Sequence, residues 1–314
     1  MAPLPSSEDE NTSMDVDNPK TETTTDLNVT PSASADTASK YPDMLLAQSI
    51  HRLLMCKGKN PLLESASEIE AAGISPDLES KVCEQITKEL ENPSLYRYMI
   101  SSGMKWSTLS GEELTKLDAA HSKTLSGLEE KVNEAKESAG DMEVLEARFE
   151  VARFAAKSLS KEDALEAYEK IFALPKLSSG KKIDALMEQA RVASFYGDTK
   201  KNAELIEKAV QLANDGGDWD RRNRLKVYNA LSKILARDVK GAASLLIDCI
   251  ATFSCNELCS YTKFIVYTII CNILHLPRTE LKQKIVDGPE ILSVANEIPV
   301  VVSCYHHNHY LLFP

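Results

Sequence analysis

The stretch Gly216-Gly217-Asp218-Trp219-Asp220-Arg221-Arg222-Asn223-Arg224-Leu225-Lys226-Val227-Tyr228 decides how the rest of the chain is read. Its two glycines permit positive φ and suit the end of one helix. Asp218 is placed to cap the next helix, and Asp220 adds a carboxylate in the first turn, where the helix dipole favours negative charge. Asp218 with Arg222, and Asp220 with Arg224, are i,i+4 pairs with the acid first. Leu225, Tyr228, Leu231 and Leu235 then share one face, so an apolar stripe begins where the charges end.

Outward from this helix start the chain reads as repeated helix pairs. Ala164, Ala203 and Ala242 are 39 residues apart. Each follows a short polar break: Ser160-Lys161-Glu162-Asp163, Gly197-Asp198-Thr199-Lys200 and Arg237-Asp238-Val239-Lys240. Before each break runs a helix with an apolar face, over 144–156, 183–196 and 225–235. A small residue thus recurs where two helices approach closely. This period lies between the tetratricopeptide and HEAT lengths and indicates a stacked α-solenoid. A further pair is expected over 261–274 and 279–286.

Towards the N-terminus, helices are expected over 44–54, 76–90 and 93–99, then a longer one from about Ser110. In the last, Leu114, Leu117, His121, Leu125, Leu128 and Val132 form a heptad-like seam, expected to pack on its own chain. Residues 1–40 are rich in Ser, Thr, Asp, Glu and Pro, cannot bury enough apolar surface to offset their ordering entropy, and are expected to be a disordered acidic tail.

Composition agrees with an all-α reading. Apolar residues make up 43% of the 314, enough for a real core, whereas aromatics are 6% and glycines only 12, a balance that favours helices over sheets. The net charge of −11 argues against a general nucleic-acid or anionic-membrane surface, since both need a cationic face. The seven cysteines have no regular spacing and no preceding signal peptide, which fits a reducing compartment. The longest apolar run, 264–276, is too short to span a bilayer.

Catalytic constellations are not found. Ser179-Gly180-Lys181-Lys182 lacks the earlier glycine of a phosphate loop, with Pro175 in its place, and has Lys182 where Ser or Thr is needed. There is no G-x-S-x-G elbow and no H-E-x-x-H pair. Cys304, His306, His307 and His309 could ligate zinc or copper, but an unstructured tail is the expected reading. Cys255 and Cys259 are spaced to share a metal, yet fit better as small buried hydrophobes, like Cys249 and Cys271. Trp219 with Arg221, Arg222, Arg224 and Lys226 could be a phosphate patch; in an acidic chain, carboxylates of this chain or of a partner are the better match. No catalytic residue, cofactor or metal is expected, and Asp218, Trp219, Asp220, Arg221, Arg222 and Arg224 are the candidate structural or interface residues.

The 216–228 block also resembles the signature of a PCI-type family, the non-ATPase subunits 6 of the proteasome regulatory-particle lid. Asn92-Pro93-Ser94-Leu95-Tyr96, Trp106 and the 114–132 helix upstream, and Tyr261 to Thr268 and Gly288-Pro289-Glu290-Ile291-Leu292 downstream, are similar to that family in the same order. The resemblance implies a right-handed α-solenoid of tetratricopeptide-like pairs leading into the helical part of a PCI module. Its divisions would be an N-terminal helical region over 41–142, repeats over 143–257 and the start of the PCI bundle over 258–295. Residues 296–314 do not follow the family, so the winged helix is expected to be absent. The implied function is a non-catalytic scaffold in ubiquitin-dependent degradation, in cytoplasm and nucleus. Its implied partners are other PCI lid subunits, a small acidic lid subunit and, indirectly, the regulatory-particle ATPases, with no nucleic acid or membrane. The alternatives are a subunit like the first of the COP9 signalosome, or another helical-repeat binding module such as occurs in translation-factor complexes. Metal-dependent deubiquitination through His307 and His309 is the distant enzymatic reading.

Overall fold

A computed structural model describes residues 40–57, 77–138, 140–216 and 218–294. The expected tails at 1–40 and 296–314, apart from Lys40, lie outside the described residues, as do the candidate ligands Cys304, His306, His307 and His309. Among those described there are helices and no strands. The order is α1 (Met44–Lys57), α2 (Leu78–Glu84, continued by a wider turn over Gln85–Glu89), α3 (Pro93–Ser101) and α4 (Gly111–Ser138). Three pairs follow: α5 (Asp141–Ser158) with α6 (Lys161–Phe172), α7 (Ser179–Phe195) with α8 (Thr199–Asn214), and α9 (Trp219–Leu235) with α10 (Val239–Asp248). The chain continues through α11 (Tyr261–His275), α12 (Arg278–Leu281, widening over Lys282–Val286) and α13 (Pro289–Val294). Partners within each pair pack closely, and each pair packs on the next, so the molecule is an α-solenoid.

A regular series of caps cuts the chain into these helices. Ser160, Ser178, Asp198, Asp218, Asp238 and Ser260 each precede a helix and accept a hydrogen bond from the backbone N–H three residues on. Each satisfies a donor that the first helical turn leaves unpaired. Two of the turns share one geometry. Gly197 (φ 72°) and Arg237 (φ 64°) both take the left-handed conformation. In each turn the following aspartate donates its N–H back to the helix just ended, Asp198 to Ala193 and Asp238 to Lys233, both at 2.9 Å.

The caps also correct the phase of the repeat. Ser160, Asp198 and Asp238 step by 38 and then 40 residues, so the position four residues past each cap is Ala164, Asn202 and Ala242. All three are buried, whereas Ala203, read from sequence as the middle member, is exposed. Asn202 fits between helices because its Nδ2 donates to the Ala190 carbonyl at 3.0 Å, which satisfies a polar group that burial would otherwise penalise.

Three apolar clusters run along the array. One joins α1, α2 and α3 through Leu46, Ile50, Ile86, Leu95 and Met99. A second lies around Phe149, Tyr168 and Ile171. The third and largest runs from Ile183 to Val294. The α4 seam divides between the first two, Leu114 packing on one and Leu125, Leu128 and Val132 on the other, so it does pack on its own chain.

Candidate functional site

The opening stretch forms the N-terminus of α9. Asp218 Oδ1 accepts from the Arg221 N–H at 2.8 Å, and its second oxygen meets the Arg221 guanidinium. Burial works against the Asp218 charge, but these two contacts outweigh it and hold the carboxyl below the usual aspartate range. Arg221 also reaches back one repeat to α7, where Nε and Nη2 bind the two Asp184 oxygens at 2.8 and 2.7 Å. This bidentate fork makes charge-assisted bonds to a partly buried acid. The guanidinium lies against Gly180, where a Cβ would come within 3.1 Å of it. The glycine in the Ser179-Gly180-Lys181-Lys182 segment therefore leaves room for an arginine rather than a phosphate.

Arg224 points elsewhere. Its Nη2 donates to Glu257 Oε1 at 2.8 Å, and the Tyr228 hydroxyl donates to the same oxygen at 3.1 Å. The two charged side chains are only 12% and 5% exposed. Burial alone would lower the Arg224 pKa, but Glu257 more than offsets it, so the guanidinium stays charged. Burial pushes the Tyr228 phenol well above its ordinary value, which keeps it a donor.

The ion pairs formed are not the i,i+4 pairs expected within this helix. The capping rotamer turns Asp218 onto Arg221, three residues on in the same helix, and Arg221 and Arg224 pair with acids on other elements, Asp184 and Glu257. Arg222 and Trp219 are left on the surface, Trp219 at 62% exposure.

The same construction extends along the array. Arg153 of α5 forks onto Glu188 of α7, which also accepts from the Tyr168 hydroxyl at 2.9 Å. Lys181 bonds Glu146 at 2.8 Å, Lys176 bonds Asp141 at 3.1 Å, and Lys161 bonds Asp198 at 2.7 Å. Separations in sequence are 33 for Arg224–Glu257, 35 for Arg153–Glu188 and 37 for Arg221–Asp184, about one repeat. Arg191 is buried, with Glu188, Glu257, Tyr168 and Tyr228 as electrostatic neighbours. Arg153, Glu188, Arg191, Glu257 and Arg224 thus form a series of alternating charge through the interior. Sequence reading missed Asp184 and Glu257. Asp184 could have been found by seeking opposite charges one repeat apart; Glu257 sits in the irregular 253–260 segment, where no period applies.

This geometry predicts an asymmetry at the stretch. Asp184→Ala removes both acceptors of the Arg221 fork and is expected to cost about 1–2 kcal/mol of unfolding free energy. Asp220→Ala, at a position outside these pairs, is expected to change it by less than about 0.5 kcal/mol. Urea titrations of the two variants check this, and equal losses would count against the inter-repeat pairing.

Buried cysteines sit beside the ladder. Cys255 donates to the Arg224 carbonyl at 3.4 Å, and burial pushes the thiols of Cys249 and Cys259 up to about 12. They are neutral small side chains in the core. No group of three or more metal-ligating side chains comes together among the described residues.

The fold and its charge ladder define a helical-repeat protein whose polar side chains join one repeat to the next. A family model described as 26S proteasome subunit RPN7 matches residues 112–284, more than half of the chain. The chain belongs to the RPN7 family. Similar proteins include the 26S proteasome non-ATPase regulatory subunit 6 homolog of Arabidopsis thaliana, 40% identical over 205 residues, covering 65% of this chain and 52% of the relative. The 26S proteasome non-ATPase regulatory subunit 6 of Dictyostelium discoideum is 34% identical over 218 residues, 68% and 56% of the two chains. The 26S proteasome regulatory subunit RPN7 of Saccharomyces cerevisiae is 32% identical over 191 residues, 60% and 44%. The chain spans about half the length of the curated relatives it matches. No helix among the described residues is long and apolar enough to cross a membrane.

Proposed function

We propose that the chain is a non-catalytic scaffold subunit of the 26S proteasome regulatory-particle lid, supporting lid assembly and ubiquitin-dependent degradation in cytoplasm and nucleus. The observation that carries this reading is the family match across the helical array. The charge ladder supports it, because its acids and bases pair with each other and stiffen a frame. In this reading 41–142 is the N-terminal helical region, 143–257 the right-handed repeats and 258–295 the start of the PCI bundle. Partners are other PCI-type lid subunits, the small acidic lid subunit and, indirectly, the ATPases. Trp219 and Arg222, exposed at the start of α9, are the side chains of the stretch offered to a partner.

Affinity purification of the tagged chain from cells tests the proposal. Lid subunits and ATPases should co-purify, and the chain should co-migrate with the lid in native gels. Trp219→Ala with Arg222→Glu should weaken that recovery while leaving the melting temperature unchanged. Recovery of signalosome or initiation-factor subunits instead, or migration as a free chain, would overturn the lid assignment.

A further inference from the structure

The α1–α3 cluster and the main array have distinct sets of fully buried apolar residues that meet through half-buried ones, Met44 from α1 and Phe195 and Tyr196 from α7 and its C-cap, and the junction between them is incompletely filled. Leu46, Ile50 and Leu53 tie α1 to α2 and α3, so these three helices form one packed unit. Between α1 and the array lies a cavity of about 540 Å³, with Ala47 and Leu54 on the α1 side and Phe195, Leu231, Cys259 and Tyr267 opposite. Side chains across such a gap lose the dispersion contacts that close packing provides.

The two edges of the junction differ. At one, Asn92 is buried, caps α3 and donates from Nδ2 to the Lys157 carbonyl of α5 at 2.8 Å. Nearby, Tyr98 stands edge-on to Tyr196, with 5.6 Å between ring centres. At the other edge, a half-buried hydrogen bond from Lys263 Nζ of α11 to Gln48 Oε1 of α1, 2.9 Å long, joins residues 215 apart in sequence. One edge is built into the array. The other is held by a latch beside a void.

We propose that α1–α3 is a hinged cap that swings about the Asn92–Lys157 edge and opens at Gln48–Lys263, with α1 the occupant of the groove when the cap is closed. Opening keeps the small core of the cap intact and uncovers the wall that contains Cys259. That thiol is 3% exposed, and Cys249, at 0%, does not line the cavity. Cap opening therefore exposes one cysteine and leaves the other buried.

The test is maleimide labelling of the full chain in native buffer, with each cysteine followed by peptide mass spectrometry. In the wild type, Cys259 should label faster than Cys249. Gln48→Ala removes the latch while keeping Lys263, whose charge acts on the Cys259 thiol. It should speed Cys259 labelling about tenfold, as expected for the loss of one half-buried hydrogen bond donated by a charged ammonium, and leave Cys249 unchanged. Ala47→Leu, which fills the cavity from the α1 side, should slow Cys259. Equal wild-type rates at the two cysteines, equal acceleration of both by Gln48→Ala, or no effect of that variant on Cys259 would each overturn the proposal.

Discussion

Glu257→Ala is expected to lower the unfolding free energy by about 3–5 kcal/mol. The variant would leave the Arg224 guanidinium and the Tyr228 hydroxyl facing a site without their shared acceptor. Arg224 is too deeply buried for water to replace that partner readily. Most of the loss is then the cost of a stranded charge and not the intrinsic worth of the ion pair. The double variant Arg224→Met/Glu257→Leu is accordingly expected to regain most of the stability, since removing both charges removes the desolvation penalty as well. Guanidinium titrations of the single and double variants decide this. A double variant as unstable as Glu257→Ala would mean that packing, and not the stranded charge, governs the site.

The second large effect concerns the close approach of helices. Ala242 is fully buried in α10, and a leucine there adds three carbons to a space already filled. Ala242→Leu is expected to cost about 1–3 kcal/mol through forced rotamers and displaced helices. Ala203→Leu, one residue past the buried position of α8, is expected to stay within about 0.5 kcal/mol of the parent. Thermal melts of the two variants measure the phase of the repeat directly. Similar losses at both would restore the even spacing of 39 as the structural period.

These contrasts separate what was legible in the sequence from what was not. Helix existence was legible because it depends on local signals. Asp218, Asp198 and Ser160 announce helix starts by residue type alone, and the apolar stripes give the 3.6 period. The phase of the repeat was less so, because Ala203 and Asn202 are neighbours and alanine is the more obvious residue for a close approach. Only the cap positions show that the asparagine takes that place. Side-chain pairing at 216–228 was misread for a related reason. An i,i+4 rule compares residues on one helix surface, whereas Arg221 and Arg224 are partly buried and answer to acids on other elements. The cavity beneath α1 was not legible, because its walls come from segments far apart in the chain, with α1 on one side and Phe195, Leu231, Cys259 and Tyr267 on the other.

The ladder also limits where the chain can be divided. Severing it between Asn214 and Trp219, where the chain leads into α9, would look harmless, since Asp215, Gly216 and Asp218 are exposed and follow a complete helix pair. Yet Asp184 would remain on the first fragment and Arg221 on the second, and Arg191 would be parted from Tyr228 and Glu257. Each half would carry charges shaped for the other. Fragments cut there should seek each other out in solution, so the electrostatics that stiffen the intact array would act, after cleavage, as a matched pair of adhesive ends.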